Sequence, residues 1–290
     1  MIPLQQSHQL FLEHLQKRNS ARSTVLAYGK DIEQLITFIQ NELKKTHVHH
    51  IKKEDLEQFI HYLEQQAFTP KTISRKINST KTFFRFLKIN EYITDDPAAL
   101  ISHPKFTTPP PRILSETEYR ALRDAAKDDA RTYAIIEILL QTGIRVGELS
   151  NITLDDLSFN DESGTGTLKV PPSRITLGRI IPLNRAVVRA IKRYLSQRPQ
   201  VEDRHLFVTR NGKPLAIRNM RAALKRYFRL ANIKDASIND LRHTWIAHHI
   251  KRGASLIIIS KLAGHRRIAT TERYLQYIQP ENKQLELSEL

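Results

Sequence analysis

The sequence predicts a mainly α-helical chain with a small antiparallel β-sheet, arranged as an N-terminal helical bundle followed by an α+β domain. Three observations predict it. Apolar residues recur at three- and four-residue steps through residues 1–101, the period of helices that bury one face. A proline-rich stretch, SHPKFTTPPPR at 102–112, cannot continue a helix and marks a boundary. Beyond it, two short β-prone runs at 167–170 and 179–183 sit among further helical patterns. At 290 residues the chain can hold two cores. The expected division is 1–101, a linker at 102–112, and 113–290.

In the first part, Leu12 and Leu15 begin one helix. Val25, Tyr28, Ile32, Leu35, Ile36 and Ile39 line one face of a second, and Leu56, Phe59, Ile60 and Leu63 one face of a third. Thr69-Pro70 reads as an N-cap with proline at the first helical position. The helix it opens turns Ile73, Ile77, Phe84 and Leu87 inward, and its other positions carry Lys71, Arg75, Lys76, Lys81 and Arg85. A four-helix bundle without strands is expected here. After the linker, Ser115-x-x-Glu118 is a capping box. Tyr133, Ile136, Leu139 and Leu140 form the buried face of the next helix, which Gly143 ends. Gly164-Thr165-Gly166 reads as a turn before the two strands, and Leu206-Phe207-Val208 as a further short strand followed by a turn. Residues 217–230 are helical, with Arg218, Arg221, Lys225, Arg226 and Arg229 among their charges.

Composition narrows the function. Lys and Arg number 46 against 30 Asp and Glu, a formal charge of +16, which calls for a polyanionic partner. DNA, RNA and an anionic membrane all fit charge alone. No apolar run reaches the roughly 18 residues of a membrane span. The first residues, MIPLQQSHQLFLEHL, lack the basic-then-apolar pattern of a signal peptide. With no cysteine, disulfides and thiolate metal sites are excluded, and a cytosolic or nucleoid location is expected.

Chemistry concentrates in SINDLRHTWIAHHIKRGASLIIISKLAGHRRIATTERYLQY, residues 237–277. Arg242 lies beside His243 on one helix, which also carries Trp245, Ile246 and Ile250. Gly264 closes a second, apolar helix directly before His265, and Thr270-Thr271 opens a short segment carrying Tyr274. A phenol, a guanidinium and an imidazole brought together suit attack on a phosphodiester: the phenolate is the nucleophile and fixed cations stabilise charge on the phosphate oxygens. His243, His248 and His249 do not share one helical face, so a metal site is not expected, and no cofactor is implied.

These residues resemble the C-terminal signature of the tyrosine recombinases, the integrase and Xer-like family. That signature has His or Lys three residues before an arginine, then Gly-His, then the nucleophilic tyrosine nine residues on, the spacing that separates His265 from Tyr274. Upstream, TGIRVGEL at 142–149 resembles the family's first-arginine motif, TGxRxxEL. One position departs: Asn239 stands where His or Lys is usual. The similarity runs over nearly the whole chain.

The resemblance implies a helical core-binding domain that clamps DNA, and a catalytic domain in which Arg145, Arg242 and His265 attend the phosphate that Tyr274 attacks. Tyr277 is the alternative phenol. Glu148 would orient Arg145. The family's general acid is a lysine in the β-hairpin; aligning the closing strand places Arg174 there, with Lys169 five residues earlier, and Lys169 is favoured because arginine is a poor proton donor. Lys71, Arg75, Lys81 and Arg85 are expected on phosphates, and the helix with Arg218, Arg221 and Lys225 in a major groove. Partners implied are duplex DNA with inverted half-sites and further copies of the chain, or a paralogue, in a tetrameric synapse. The periodic leucines of the tail, NKQLELSEL, would dock on a neighbour. The same residues would also serve a type IB-like topoisomerase, and the same fold a non-catalytic DNA-binding regulator.

Overall fold

The structure, a computed structural model, describes residues 2–107, 109–173 and 176–278. It divides into two compact units, Met1–Thr108 and Pro109–Leu290.

The first unit is built from α1 (Leu4–Lys17), α2 (Arg22–Asn41), α3 (Lys53–Gln65) and α4 (Pro70–Ile89). Most of the expected faces are buried: Ile32, Leu35, Ile36 and Ile39 from α2, Leu56, Phe59 and Leu63 from α3, and Ile73, Ile77, Phe84 and Leu87 from α4, while Val25, Tyr28 and Ile60 pack on the edge, only partly buried. Thr69 caps α4, its hydroxyl accepting the amide of Thr72 at 3.3 Å. Two readings change. Helix α1 starts at Leu4 rather than near Leu12, and anchors through Leu4, Phe11 and Leu15. Lys76 is not part of the exposed basic stripe. It is buried, donating to Asp31 at 2.9 Å and to Gln34 at 2.6 Å. Asp31 also accepts from Ser79 at 3.0 Å and from both terminal nitrogens of Arg75. A buried carboxylate holds its charge only when paired and hydrogen-bonded, so two cations of α4 are drawn back onto α2.

In the second unit, α5 (Glu116–Ala126) and α6 (Ala130–Thr142) precede a single turn, α7 (Val146–Leu149). The capping box closes on both sides, the Glu118 amide donating to Ser115 Oγ at 3.2 Å and the Ser115 amide to Glu118 Oε2 at 2.8 Å. A three-stranded antiparallel sheet follows, β1 (Leu157–Asn160), β2 (Thr165–Val170) and β3 (Arg179–Leu183), in that order. Strand β1 was not anticipated, and β2 begins two residues before the expected start, because only Gly164 of the Gly-Thr-Gly run takes a left-handed turn. Leu168, Val170, Ile181 and Leu183 are buried, whereas Lys169, paired with Ile180, lies on the exposed face. The expected strand at 206–208 is reduced to isolated bridges, Thr153 with His205 and Val208 with Pro214. The chain continues through α8 (Arg185–Leu195), α9 (Ile217–Leu230), α10 (Ile238–Lys251), α11 (Leu256–Ala263) and α12 (Ala269–Glu272), and then a 3-10 turn over Arg273–Tyr277. The core of the unit is shared by α6, α8, α9 and the sheet. A second cluster joins Trp245, Ile246, Ile259, Ala263, Tyr274 and Ile278.

Candidate active site

Two helix ends set the site. Helix α6 stops at Gly143, which adopts φ 63°, and a Cβ there would sit 2.3 Å from the Trp245 ring. Only glycine meets both demands. Its carbonyl accepts the Nη1 of Arg242, so the residue that ends α6 also holds an arginine of α10. Helix α11 stops at Gly264, φ 67°, whose Cβ would fall 2.7 Å from Nη1 of Arg179. The His265 amide then reaches back to the carbonyl of Ser260 at 2.9 Å, the six-to-one bond of a Schellman motif, which fixes where His265 leaves the helix.

The orphan carbonyls of α11 are answered by arginines. Arg145 donates to Ala263 O at 3.3 Å and Gly264 O at 3.1 Å; Arg179 Nε donates to Leu262 O at 2.7 Å. Cations at a helix C-terminus also meet the negative end of its dipole. Glu148 joins the two. It accepts from Arg179 at 3.0 and 2.8 Å and from Arg145 Nη1 at 3.3 Å. Burial pushes its carboxyl up, but the bonds from Arg179 and the Arg145 amide outweigh that and leave it below the usual range. Sequence reasoning treated Arg179 only as a strand residue. Strand alternation puts it on the same side as its partner Val170, opposite to Lys169, and so aims it at α7 and α11.

Arg242 is 7% exposed, and its Nη2 has no hydrogen-bond partner among the described residues. Burial first, and then the charge of Arg145, pull its pKa down to about 10, so it stays cationic at neutral pH. Tyr274, buried in the 3-10 turn, presents its hydroxyl to Nδ1 of His243 at 2.6 Å. Burial raises the phenol's pKa, with Arg242 and Arg145 opposing. Tyr277 is exposed. His265 Nδ1 meets the hydroxyl of the fully buried Thr271 at 2.7 Å. Burial, then Arg242, Arg145 and Arg179, lower the His265 pKa to about 4, so the ring is neutral under ordinary conditions.

The fold thus gathers Arg145, Arg242, His265 and Tyr274 in one unit and adds Arg179, Glu148 and His243. Asn239 is exposed in the first turn of α10. Lys169 is on the outer face of the hairpin, and Arg174 lies outside the described residues. Of the basic residues expected to meet DNA, Lys71, Arg85, Arg218, Arg221 and Lys225 are exposed. Arg75 is bound to Asp31 with its side chain 47% exposed, and Lys81 donates to Ala99 O at 3.2 Å.

A histidine whose native pKa lies below its ordinary 6.5 supports folding fully above that value and withdraws support as pH falls. His243 is shifted in the same direction, first by burial. Thermal stability is therefore expected to fall between about pH 6.5 and pH 4, with His265→Gln showing a shallower fall over the same window. Melting curves across that range check it; a flat profile in the parent protein would contradict the burial of the two rings.

A helical bundle followed by an α+β unit, with a buried phenol near the guanidiniums of Arg145 and Arg242, is the arrangement expected of a DNA strand-transferase. Residues 112–279 match the phage integrase family, and residues 9–91 match the phage integrase N-terminal SAM-like domain. A tyrosine recombinase of Thermosipho africanus is 29% identical over 284 residues, covering 91% of this chain and 92% of the relative. The tyrosine recombinase XerC of Staphylococcus carnosus is 30% identical over 270 residues, covering 89% and 88%. The crystal structure of the XerH site-specific recombinase bound to palindromic difH substrate, a post-cleavage complex, shares the fold with a TM-score of 0.75 at 17% identity, over 92% of this chain and 81% of that one. The chain belongs to the phage integrase family and is a Xer-like, site-specific tyrosine recombinase.

Proposed function

We propose that Tyr274 attacks the scissile phosphate of duplex DNA and forms a 3′-phosphotyrosyl link. A 5′-hydroxyl from a second strand then displaces the tyrosine and completes strand exchange. The bond energy stays in the phosphotyrosyl link, so the cycle as proposed needs no nucleotide cofactor. Arg145 and Arg242 contact the non-bridging oxygens and stabilise the pentacoordinate state. His265, oriented by Thr271, turns its Nε2 to the same phosphate, and Asn239 adds a neutral hydrogen bond there. Lys169, or Arg174, protonates the leaving 5′-oxygen. One observation carries this reading: a buried arginine with an unpartnered Nη2, a group that the interior tolerates when an anion is to arrive.

Lys71, Arg75, Lys81 and Arg85 follow the DNA backbone, Arg75 by exchanging Asp31 for phosphate. Arg218, Arg221 and Lys225 enter a major groove. The substrate carries inverted half-sites, and four copies, or two each of this chain and a paralogue, form the synapse. The expected docking of the tail NKQLELSEL on a neighbouring copy falls on residues outside those described. The reading is tested with a nicked duplex whose cleaved end diffuses away. A covalent protein–DNA adduct is expected, with the DNA remnant on the peptide containing Tyr274; a remnant on Tyr277, or no adduct on the chain's own recognition sequence, would refute it.

A further inference from the structure

The phenol of Tyr274 needs a group to take its proton, and Asn239, which stands where the resemblance leads one to expect His or Lys, is an amide without basicity. The same helix offers another group. His243 follows Asn239 by four residues, one turn along α10 and on the same side. Its Nδ1 is 2.6 Å from the Tyr274 hydroxyl, and the two rings lie 5.8 Å apart and tilted by 42°. His265 is differently placed, because its Nδ1 is occupied by Thr271 at 2.7 Å. That bond ties up one ring nitrogen, and no contact among the described residues joins His265 to the Tyr274 hydroxyl, which lies instead against His243.

We propose that His243 is the catalytic base and acid of Tyr274, accepting the phenol proton in cleavage and returning it in rejoining. The assignment rests on Tyr274 being the nucleophile. In cleavage the Tyr274 O–H proton passes to Nδ1, the phenol oxygen bonds to phosphorus, and the bond from phosphorus to the 5′-oxygen breaks. The leaving oxygen takes its proton from an ammonium group, Lys169 in the reading above. In rejoining, the attacking 5′-hydroxyl gives its proton to that amine, the phenol oxygen leaves phosphorus, and Nδ1–H protonates it.

The surroundings fit both states. At rest, burial favours the neutral imidazole and the un-ionised phenol. In the proposed resting state the ring proton sits on Nε2, so that the phenol O–H donates to the Nδ1 lone pair. The groups around the ring are Asp240 and Arg242 on its own helix, Tyr274 from the 3-10 turn, and His265 after α11. When the imidazolium forms, Arg242 opposes it, whereas Asp240 and the charge growing on phosphate favour it. Proton transfer is thereby coupled to bond formation at phosphorus.

The test uses the full chain on a nicked duplex, reading the single-turnover rate of adduct formation from about pH 5 to pH 9. His243→Gln keeps a polar group but cannot take a proton. Its rate is expected to fall by about 100-fold or more at neutral pH with DNA binding preserved. The rate should then climb steadily with pH as hydroxide replaces the base, while the parent levels off once its imidazole is neutral. A 5′-phosphorothiolate substrate, which needs no leaving-group proton, should not rescue the variant. A rate within threefold of the parent, or rescue by the phosphorothiolate, overturns the proposal while leaving Tyr274 as nucleophile. A parent chain that forms no adduct overturns both. Should the variant fail to fold, nitrogen NMR of the histidine-labelled parent and Tyr274→Phe decides: Nδ1 of one ring must lose an accepted hydrogen bond in Tyr274→Phe, and an unchanged spectrum overturns the proposal.

Discussion

Tyr274→Phe is expected to abolish covalent adduct formation, a loss of at least about four orders of magnitude in cleavage rate, while DNA binding is retained. The ring stays in its cluster with Trp245, Ile246 and Ile259, so packing is preserved. What is lost is the hydroxyl and its bond to His243, leaving a half-buried ring nitrogen without its partner at a cost of about 1 kcal/mol. The pattern to look for is an unaltered gel shift, a slightly lowered melting temperature and no trapped complex. A variant that still forms adducts would transfer the nucleophile to Tyr277, whose side chain is already exposed.

Arg242→Met separates stability from activity. The native guanidinium is buried, donating to the Gly143 carbonyl, and its Nη2 has no partner among the described residues. Keeping such a cation out of water is costly, and an apolar side chain of similar length removes that cost. The free protein is expected to be as stable as the parent or more so, by on the order of 1 kcal/mol. Cleavage, in contrast, should fall by about three orders of magnitude, since a donor to the developing phosphate charge is gone. Sulfate should raise the melting temperature of the parent and have little effect on the variant, because an anion stabilises only the form that holds a place for it. Denaturation and single-turnover cleavage, measured on the same preparations, check both halves. A strongly destabilised variant would mean that the arginine serves the fold rather than the phosphate.

The parts of this site that could be read from sequence are those written locally. A glycine at the end of an apolar helix followed by Arg145, and another followed by His265, combine a stop signal with a charged or titratable group within two residues. The capping box at Ser115 and the Thr69-Pro70 start are equally local. What could not be read depends on distance along the chain. Arg179 meets Glu148 across 31 residues, and His243 meets Tyr274 across 31. Lys76 looked like one more cation in a basic stripe until Asp31, 45 residues earlier, drew it inside. Strand β1, LSFN, alternates apolar and polar but is only four residues long, too short to stand out, and it exists because β2 offers it a ladder. In each case the side chain's role was settled by a tertiary partner that no window of neighbouring residues contains.

The way Glu148 is shared has a consequence for selectivity along the reaction coordinate. Arg145 and Arg179 share the carboxylate of Glu148, and Arg242 adds a third guanidinium beside them, so these four side chains together carry a surplus of two positive charges while the imidazoles are neutral. A phosphodiester in its resting state carries one negative charge, and the five-coordinate species formed on attack carries two. If the phosphate binds here as proposed, the pocket is over-provided for the substrate and better matched to the activated state. A receptor biased in this way favours the passage between two strands over the occupancy of either one.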